Sequence, residues 1–331
     1  MSERIDITNT FLLLFAFLFS YFFPFELFLL SYAVLGPLHY LTEINWLKGK
    51  KYFSTFKYWA SVCLLTAFII FTAKIIPYVY TYMGEMNTTT KGLIHFADSY
   101  SNILILLCLA LSVLYSFKLS REHNLLFTAL ILFIAISVNS ISGIGLWIGI
   151  MLPTIIHVFF FTFAFMCYGY IKHPNKIGAI NLVLFLILPL FLFILPYHSN
   201  WDLSQYVKES YMASDFYILP IHVLNLLGIT EVQSFDFSSP IIRKIQMFIC
   251  FAYTYHYLNW FSKTSLIGWG NNLSWKITGV IGITWLISVL LYAFDYRLGM
   301  IALIFLSYSH VFMELPLNVL SLKTIVKYYA K

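Results

Sequence analysis

Long apolar runs, interrupted only by isolated polar positions, recur along the whole chain. Each run approaches the roughly twenty residues that an α-helix needs to cross about 30 Å of hydrocarbon. Pro24 separates the first two runs, and the segment SISG separates the fifth from the sixth. The pattern predicts an all-α polytopic membrane protein with nine or ten transmembrane helices. The ten predicted spans are 8–23, 25–46, 56–81, 98–117, 123–139, 144–171, 177–197, 241–262, 272–293 and 298–320.

Composition strengthens this prediction. The 331 residues are 60% hydrophobic and only 10% charged, with a mean hydropathy of +0.82. That is more apolar side-chain area than a soluble core of this size encloses, so the surplus is expected to face lipid. Because no polar stretch is long enough for a separate soluble domain, residues 1–331 are predicted to form a single integral membrane domain.

The distribution of basic residues predicts the orientation. With a cytoplasmic N-terminus, 14 of the 20 Lys and Arg residues fall on the inner side of the ten spans. Both termini are therefore expected to be cytoplasmic, most simply in a bacterial inner membrane. The formal net charge of +6 is explained by these helix-end residues. It indicates contacts with membrane lipids and no nucleic-acid partner.

One long connection, at about 198–240, is expected on the outer side. It carries several acids but also the apolar stretch YMASDFYILPIHVLNLLGI. An apolar connection between spans favours the membrane interface over bulk water. We expect an amphipathic lid or a re-entrant segment there.

Six His or Glu side chains fall in the interior of the predicted spans, beyond their first two residues, where ionisable groups are costly and often functional. Two pairs are spaced four residues apart, in GPLHYLTE and in SHVFMELP. Such spacing projects an imidazole and a carboxylate from the same face of a helix. The six residues are His39, Glu43, His157, His256, His310 and Glu314.

The predicted depths of these side chains in the membrane would allow them to lie close together. Taking about 1.5 Å of rise per residue, His39 lies about 10 Å from the cytoplasmic end of its span and His256 about 9 Å. On the same count, His310 lies about 15 Å deep and His157 about 20 Å deep. The four histidines are therefore expected in the inner half of the membrane or near its centre.

Imidazoles gathered with carboxylates form a ligand set suited to iron, zinc or copper. His39, His256 and His310 are the strongest candidate ligands, with His157 as a fourth. Glu43 and Glu314 are the candidate catalytic residues, expected to bind the metal directly or to orient the imidazoles. The alternative interpretation is that these groups are interhelical hydrogen-bond partners, and His157, with apolar neighbours on both sides, fits that interpretation best.

Two segments resemble the Brp/Blh-type β-carotene dioxygenases. LGPLHYLTE resembles the H-x-x-x-acid pattern of an early membrane helix in that family, and FAYTYHYLNWF resembles its late aromatic-rich helix. The resemblance implies a polytopic protein whose intramembrane histidines hold iron and which cleaves a carotenoid with O₂. It implies that His39 and His256 are iron ligands and that Glu43 occupies the position of the family's acid. Trp260 stands where the family has a second histidine on the late helix.

The leading hypothesis is a metal-dependent membrane oxygenase or related oxidoreductase, with iron the expected metal. Its substrate is expected to be an apolar lipid or isoprenoid, such as a carotenoid, that enters from the bilayer. One alternative is a proton-coupled transporter that uses the His/Glu pairs as a relay. Another is a non-catalytic membrane subunit in which the polar residues only join helices.

Overall fold

The computed structural model describes residues 2–117, 119–138, 147–196, 202–229, 235–263 and 267–330. Within these ranges the chain is helical and contains no β-strand. Two helices change their winding along their length, as described below. The helices are α1 (Ser2–Phe22), α2 (Glu26–Gly49), α3 (Trp59–Met83), α4 (Thr88–Tyr115), α5 (Arg121–Val138), α6 (Trp147–Phe161 continued by Thr162–Lys172), α7 (Lys176–Ile194), α8 (Gln205–Ala213), α9 (Ile218–Leu226), α10 (Pro240–Ser262), α11 (Trp275–Phe294) and α12 (Tyr296–Tyr329).

Eight of these helices are long and apolar enough to cross a membrane, as a multi-pass membrane protein requires. They are α1, α2, α3, α4, α6, α7, α11 and α12. The two other predicted spans correspond to α5 and α10, which are helical but are not among these eight. The prediction of an all-α chain is confirmed, whereas the span count and the cytoplasmic termini remain predictions.

The described chain forms two compact units. The first comprises residues 1–39 and 155–299, and the second comprises residues 40–154 and 300–331. In the first unit, α10 packs against α1, α7 and the beginning of α2. In the second unit, α4 packs between α3 and α5.

Helix α10 is the central element of the first unit. Most of its 23 residues are buried, and Phe251 and Tyr255 pack with Leu13 and Phe185 in one apolar cluster. This helix carries several buried polar side chains, including Gln246. Because neighbouring helices of the unit cover it, its side chains are shielded from lipid and polar residues are tolerated there.

The predicted outer connection contains the short helices α8 and α9, while 198–201 and 230–234 lie outside the described residues. Phe25 makes an edge-on contact with Tyr211 of α8, and Phe28 makes one with Phe216. The Tyr211 hydroxyl donates a hydrogen bond of 2.7 Å to Gln246 Oε1 on α10. This part of the connection is therefore packed onto the first unit through aromatic side chains.

Replacing Tyr211 with phenylalanine is expected to destabilise the first unit. The change removes a hydroxyl donor from Gln246, which is fully buried. The loss of a donor from a buried acceptor typically lowers the free energy of unfolding by about 1–3 kcal/mol. Thermal unfolding in detergent measures the effect, with Tyr206→Phe on the exposed face of α8 as the matched control. Equal melting temperatures for the two variants would contradict this role of Tyr211.

Candidate metal centre

His39 follows an irregular segment of α2. The turn Ser31–Leu35 is wound as a π-helix, and regular α-helix resumes at Gly36–Gly49. Pro37 explains this π-helical winding, because proline has no N–H and its ring clashes with the carbonyl of the residue four positions earlier. The wider turn accommodates that carbonyl, and such turns are frequent at functional sites. His39 lies directly after this turn and is 1% exposed.

His157 also lies in a π-helical segment. The first part of α6, Trp147–Phe161, contains Pro153 four residues before this histidine. The helix returns to α-helical winding at Thr162. His157 is 2% exposed, and its imidazole lies 4.9 Å from that of His256, measured between ring centroids.

The imidazoles of His39, His157 and His256 meet inside the first unit. One ring nitrogen from each lies within 4.8 Å of those of the other two. The Nε2 atoms of His39 and His256 lie 3.1 Å apart. Metal–nitrogen bonds of about 2.0–2.1 Å place two ligands of one ion about 2.8–3.4 Å apart. The spacing of these two nitrogens therefore suits a shared metal ion, and we call the three residues the tri-histidine group.

Thr162 orients the imidazole of His256. Its Oγ1 lies 2.7 Å from His256 Nδ1, and the hydroxyl is buried. Histidines that bind metals usually donate the other ring N–H to an oxygen, which fixes the tautomer. With Nδ1–H donating to the Thr162 hydroxyl, Nε2 keeps its lone pair and faces His39.

Two aromatic rings lie close to His39. Tyr257 and Trp260 each lie 5.4 Å from it, measured between ring centroids. His39 and His256 themselves meet edge to face, with their ring planes 80° apart. The aromatic rings limit the access of water to the tri-histidine group, which strengthens electrostatic interactions inside it.

Replacing Thr162 with valine is expected to lower the metal affinity of the protein by about 10–100-fold, the usual cost of losing a group that orients a ligand. Valine keeps the branched shape but has no oxygen for His256 Nδ1. Thr162→Ser, which retains the hydroxyl, is expected to keep most of the affinity. Competition with a chelator measures the dissociation constant, and equal values for the valine and serine variants would contradict the role of the hydroxyl.

The second unit contains another group of metal-ligating side chains. Ligand atoms of Glu43, His310 and Glu314 lie within 4.8 Å of one another, and all three residues are at most 2% exposed. Tyr40 stacks on His310, with ring centroids 4.2 Å apart and planes at 21°. Buried carboxylates are costly unless a cation or a proton compensates their charge. We call these three residues the carboxylate group; its mixed ligands suit iron, manganese or zinc.

Each predicted site residue is thus buried and belongs to a group that could hold a metal ion. Spacing did not predict the position of His157, which sequence reasoning treated as the weakest candidate. It also missed Thr162, because a single threonine in an apolar helix carries no specific signal. Four of the remaining histidines, His95, His123, His173 and His222, belong to neither group, and His198 lies outside the described residues.

By ligand type, number, burial and spacing, each of the two groups could hold a metal ion. Comparison of this chain with models of known protein families, with curated proteins and with solved structures finds no match.

Proposed function

We propose that this chain is a multi-pass membrane enzyme that uses a metal ion at the tri-histidine group, most simply iron, to oxidise an apolar substrate. One observation carries the proposal: the Nε2 atoms of His39 and His256 lie 3.1 Å apart in a buried site that also contains His157. Three imidazoles leave coordination positions open for reactants, and a bound iron ion would supply the redox chemistry.

The carboxylate group is proposed to hold a second metal ion in its own unit. Glu43 and Glu314 supply negative charge that a cation neutralises, and His310 supplies a neutral nitrogen donor. Sequence analysis assigned catalytic roles to the two glutamates. In this proposal they act as metal ligands.

An apolar substrate is favoured by the surroundings of the site. Eight helices long and apolar enough to cross a bilayer support this environment, and we propose the inner membrane of a bacterium, where lipids and isoprenoids are abundant. Near the histidines, Tyr257 and Trp260 provide aromatic surface for a conjugated or isoprenoid chain. The resemblance to β-carotene dioxygenases favours a carotenoid.

The reaction proposed for a carotenoid is cleavage of one C=C bond by O₂. Both oxygen atoms enter the products, one in each new carbonyl group, so the electrons balance without a further reductant. The three histidines would hold the metal, Thr162 orients the imidazole of His256, and the surrounding aromatic rings exclude water from the reacting atoms.

The test uses purified protein loaded with ferrous iron and supplied with β-carotene in detergent under ¹⁸O₂. We expect aldehyde products that carry the label, and none from the His39→Ala variant. A His95→Ala variant, altered at an exposed position on α4, serves as the control. Metal-free protein that instead couples proton flux to substrate uptake in liposomes would contradict the proposal and support a carrier.

A further inference from the structure

A second polar pocket lies in the first unit, apart from the tri-histidine group. Its cavity volume is about 40 Å³. The first turns of α1 and α7 and the last turns of α6 and α10 surround it, so it lies at one end of these helices. Side chains with polar or sulfur atoms line it, among them Asp6, Asn9, Met166, His173, Asn259 and Lys263. In the predicted orientation this end faces the cytoplasm.

Asn259 indicates that the pocket receives a polar ligand. The residue is 6% exposed, and its Oδ1 has no hydrogen-bond partner within the described ranges. A buried acceptor without a hydrogen bond typically costs about 1–3 kcal/mol of folding free energy. We therefore expect a water molecule or a cation to bind this oxygen. The volume suffices for about three water-sized particles, such as a cation with part of its hydration shell.

Asp6 provides negative charge in a fixed position. Its Oδ2 accepts a 2.7 Å hydrogen bond from Asn175 Nδ2, and its backbone carbonyl accepts one of 2.7 Å from Asn181 Nδ2. These bonds hold α1 against the beginning of α7. The pocket therefore combines a carboxylate with an amide oxygen, which are suitable first ligands for a divalent cation.

The pocket lies one helical turn from the tri-histidine group along two helices. Asn259 follows His256 by three residues on α10, a rise of about 4.5 Å, and residues at this spacing share a helix face. Met166 follows Thr162 by four residues on α6, and Thr162 contacts His256. The Met166 thioether is a further donor that soft metal ions accept.

We propose that this pocket is the route by which a divalent metal ion reaches the tri-histidine group, with Asp6 and Asn259 as transient ligands. The inference rests on the proposed function, because it requires a metal at that group. The expected ligand is a partly hydrated transition-metal cation.

Lys263 keeps the transient site weak. Burial lowers the pKa of Lys263 to about 8, although the Asp6 carboxylate acts in the opposite direction. The side chain is therefore mostly protonated at pH 7 and repels an incoming cation. A transfer site must bind weakly enough to release its ion, so partial cancellation of the Asp6 charge suits this role.

The experiment measures the rate of Zn²⁺ uptake by metal-free protein in detergent at pH 7, together with the final zinc content. Asp6→Asn and Asn259→Leu are expected to slow loading, the former by about tenfold, at the lower end of the range for electrostatic steering. Lys263→Gln is expected to accelerate it. The final zinc content should equal that of the wild type in all three variants. Asp202→Asn, at an exposed acid outside the pocket, is the control.

The possible outcomes separate the two proposals. Unchanged rates in all three variants would overturn the route while leaving the tri-histidine metal in place. Lower final zinc content in Asp6→Asn or Asn259→Leu would also overturn it, because these residues would then support the final site. Wild-type protein that takes up no zinc, iron or copper would instead contradict the proposed function.

Discussion

Replacing His256 with alanine is expected to empty the tri-histidine group of metal. The change removes the imidazole whose Nε2 lies 3.1 Å from that of His39 and which Thr162 orients through Nδ1. Loss of a ligand should reduce metal affinity by more than the roughly 10–100-fold that loss of an orienting partner costs. Inductively coupled plasma mass spectrometry on the purified variant measures the loss, expected as one metal ion fewer per chain.

The matched control for this prediction is His95→Ala. His95 is exposed on α4 and belongs to neither metal-ligating group. Its replacement is expected to leave the metal content unchanged. A His256→Ala variant that elutes as a folded monodisperse protein with its full metal content would show that the three imidazoles are hydrogen-bond partners only.

Replacing Glu314 with glutamine is expected to remove a metal ion from the carboxylate group. Glutamine keeps the size of the side chain but removes one of two buried negative charges that a cation would neutralise. We expect two metal ions per wild-type chain and one in this variant, with the remaining ion at the tri-histidine group. Loss of the ion should also lower the melting temperature in metal-containing buffer, because a bound ion stabilises the folded state.

Glu122→Gln, at an exposed position of α5, is the control for that substitution. Metal content that is the same in Glu314→Gln and in wild type would show that no metal ion depends on the Glu314 carboxylate. The carboxylate group would then not be a metal site.

Much of the fold could be predicted from hydrophobic patterning. The predicted span 25–46 corresponds to α2, Glu26–Gly49, and 272–293 corresponds to α11, Trp275–Phe294. The pattern did not predict the π-helical turns near Pro37 and Pro153, because they depend on how the displaced carbonyls are accommodated. Nor did it predict α8 and α9. Tyr211 of α8 packs against Phe25, and Phe216, which precedes α9, packs against Phe28.

The candidate site was also predictable only in part, because sequence spacing indicates which residues share a helix face but not which helices pack together. Four-residue spacing correctly indicated that His310 and Glu314 belong to one group, because helix geometry alone places them on one face. The approach of His157 to His256 depends on the packing of α6 against α10, for which a single sequence gives no signal. Asn259 is buried and lines the second pocket, an arrangement that the sequence alone does not indicate.

X-ray absorption spectroscopy at the edge of the bound metal tests the central claim most directly. A metal at the tri-histidine group predicts imidazole scattering, with nitrogen ligands at about 2.0–2.1 Å, that is lost in His256→Ala. A metal bound without imidazole, or through sulfur at about 2.3 Å, would contradict the account.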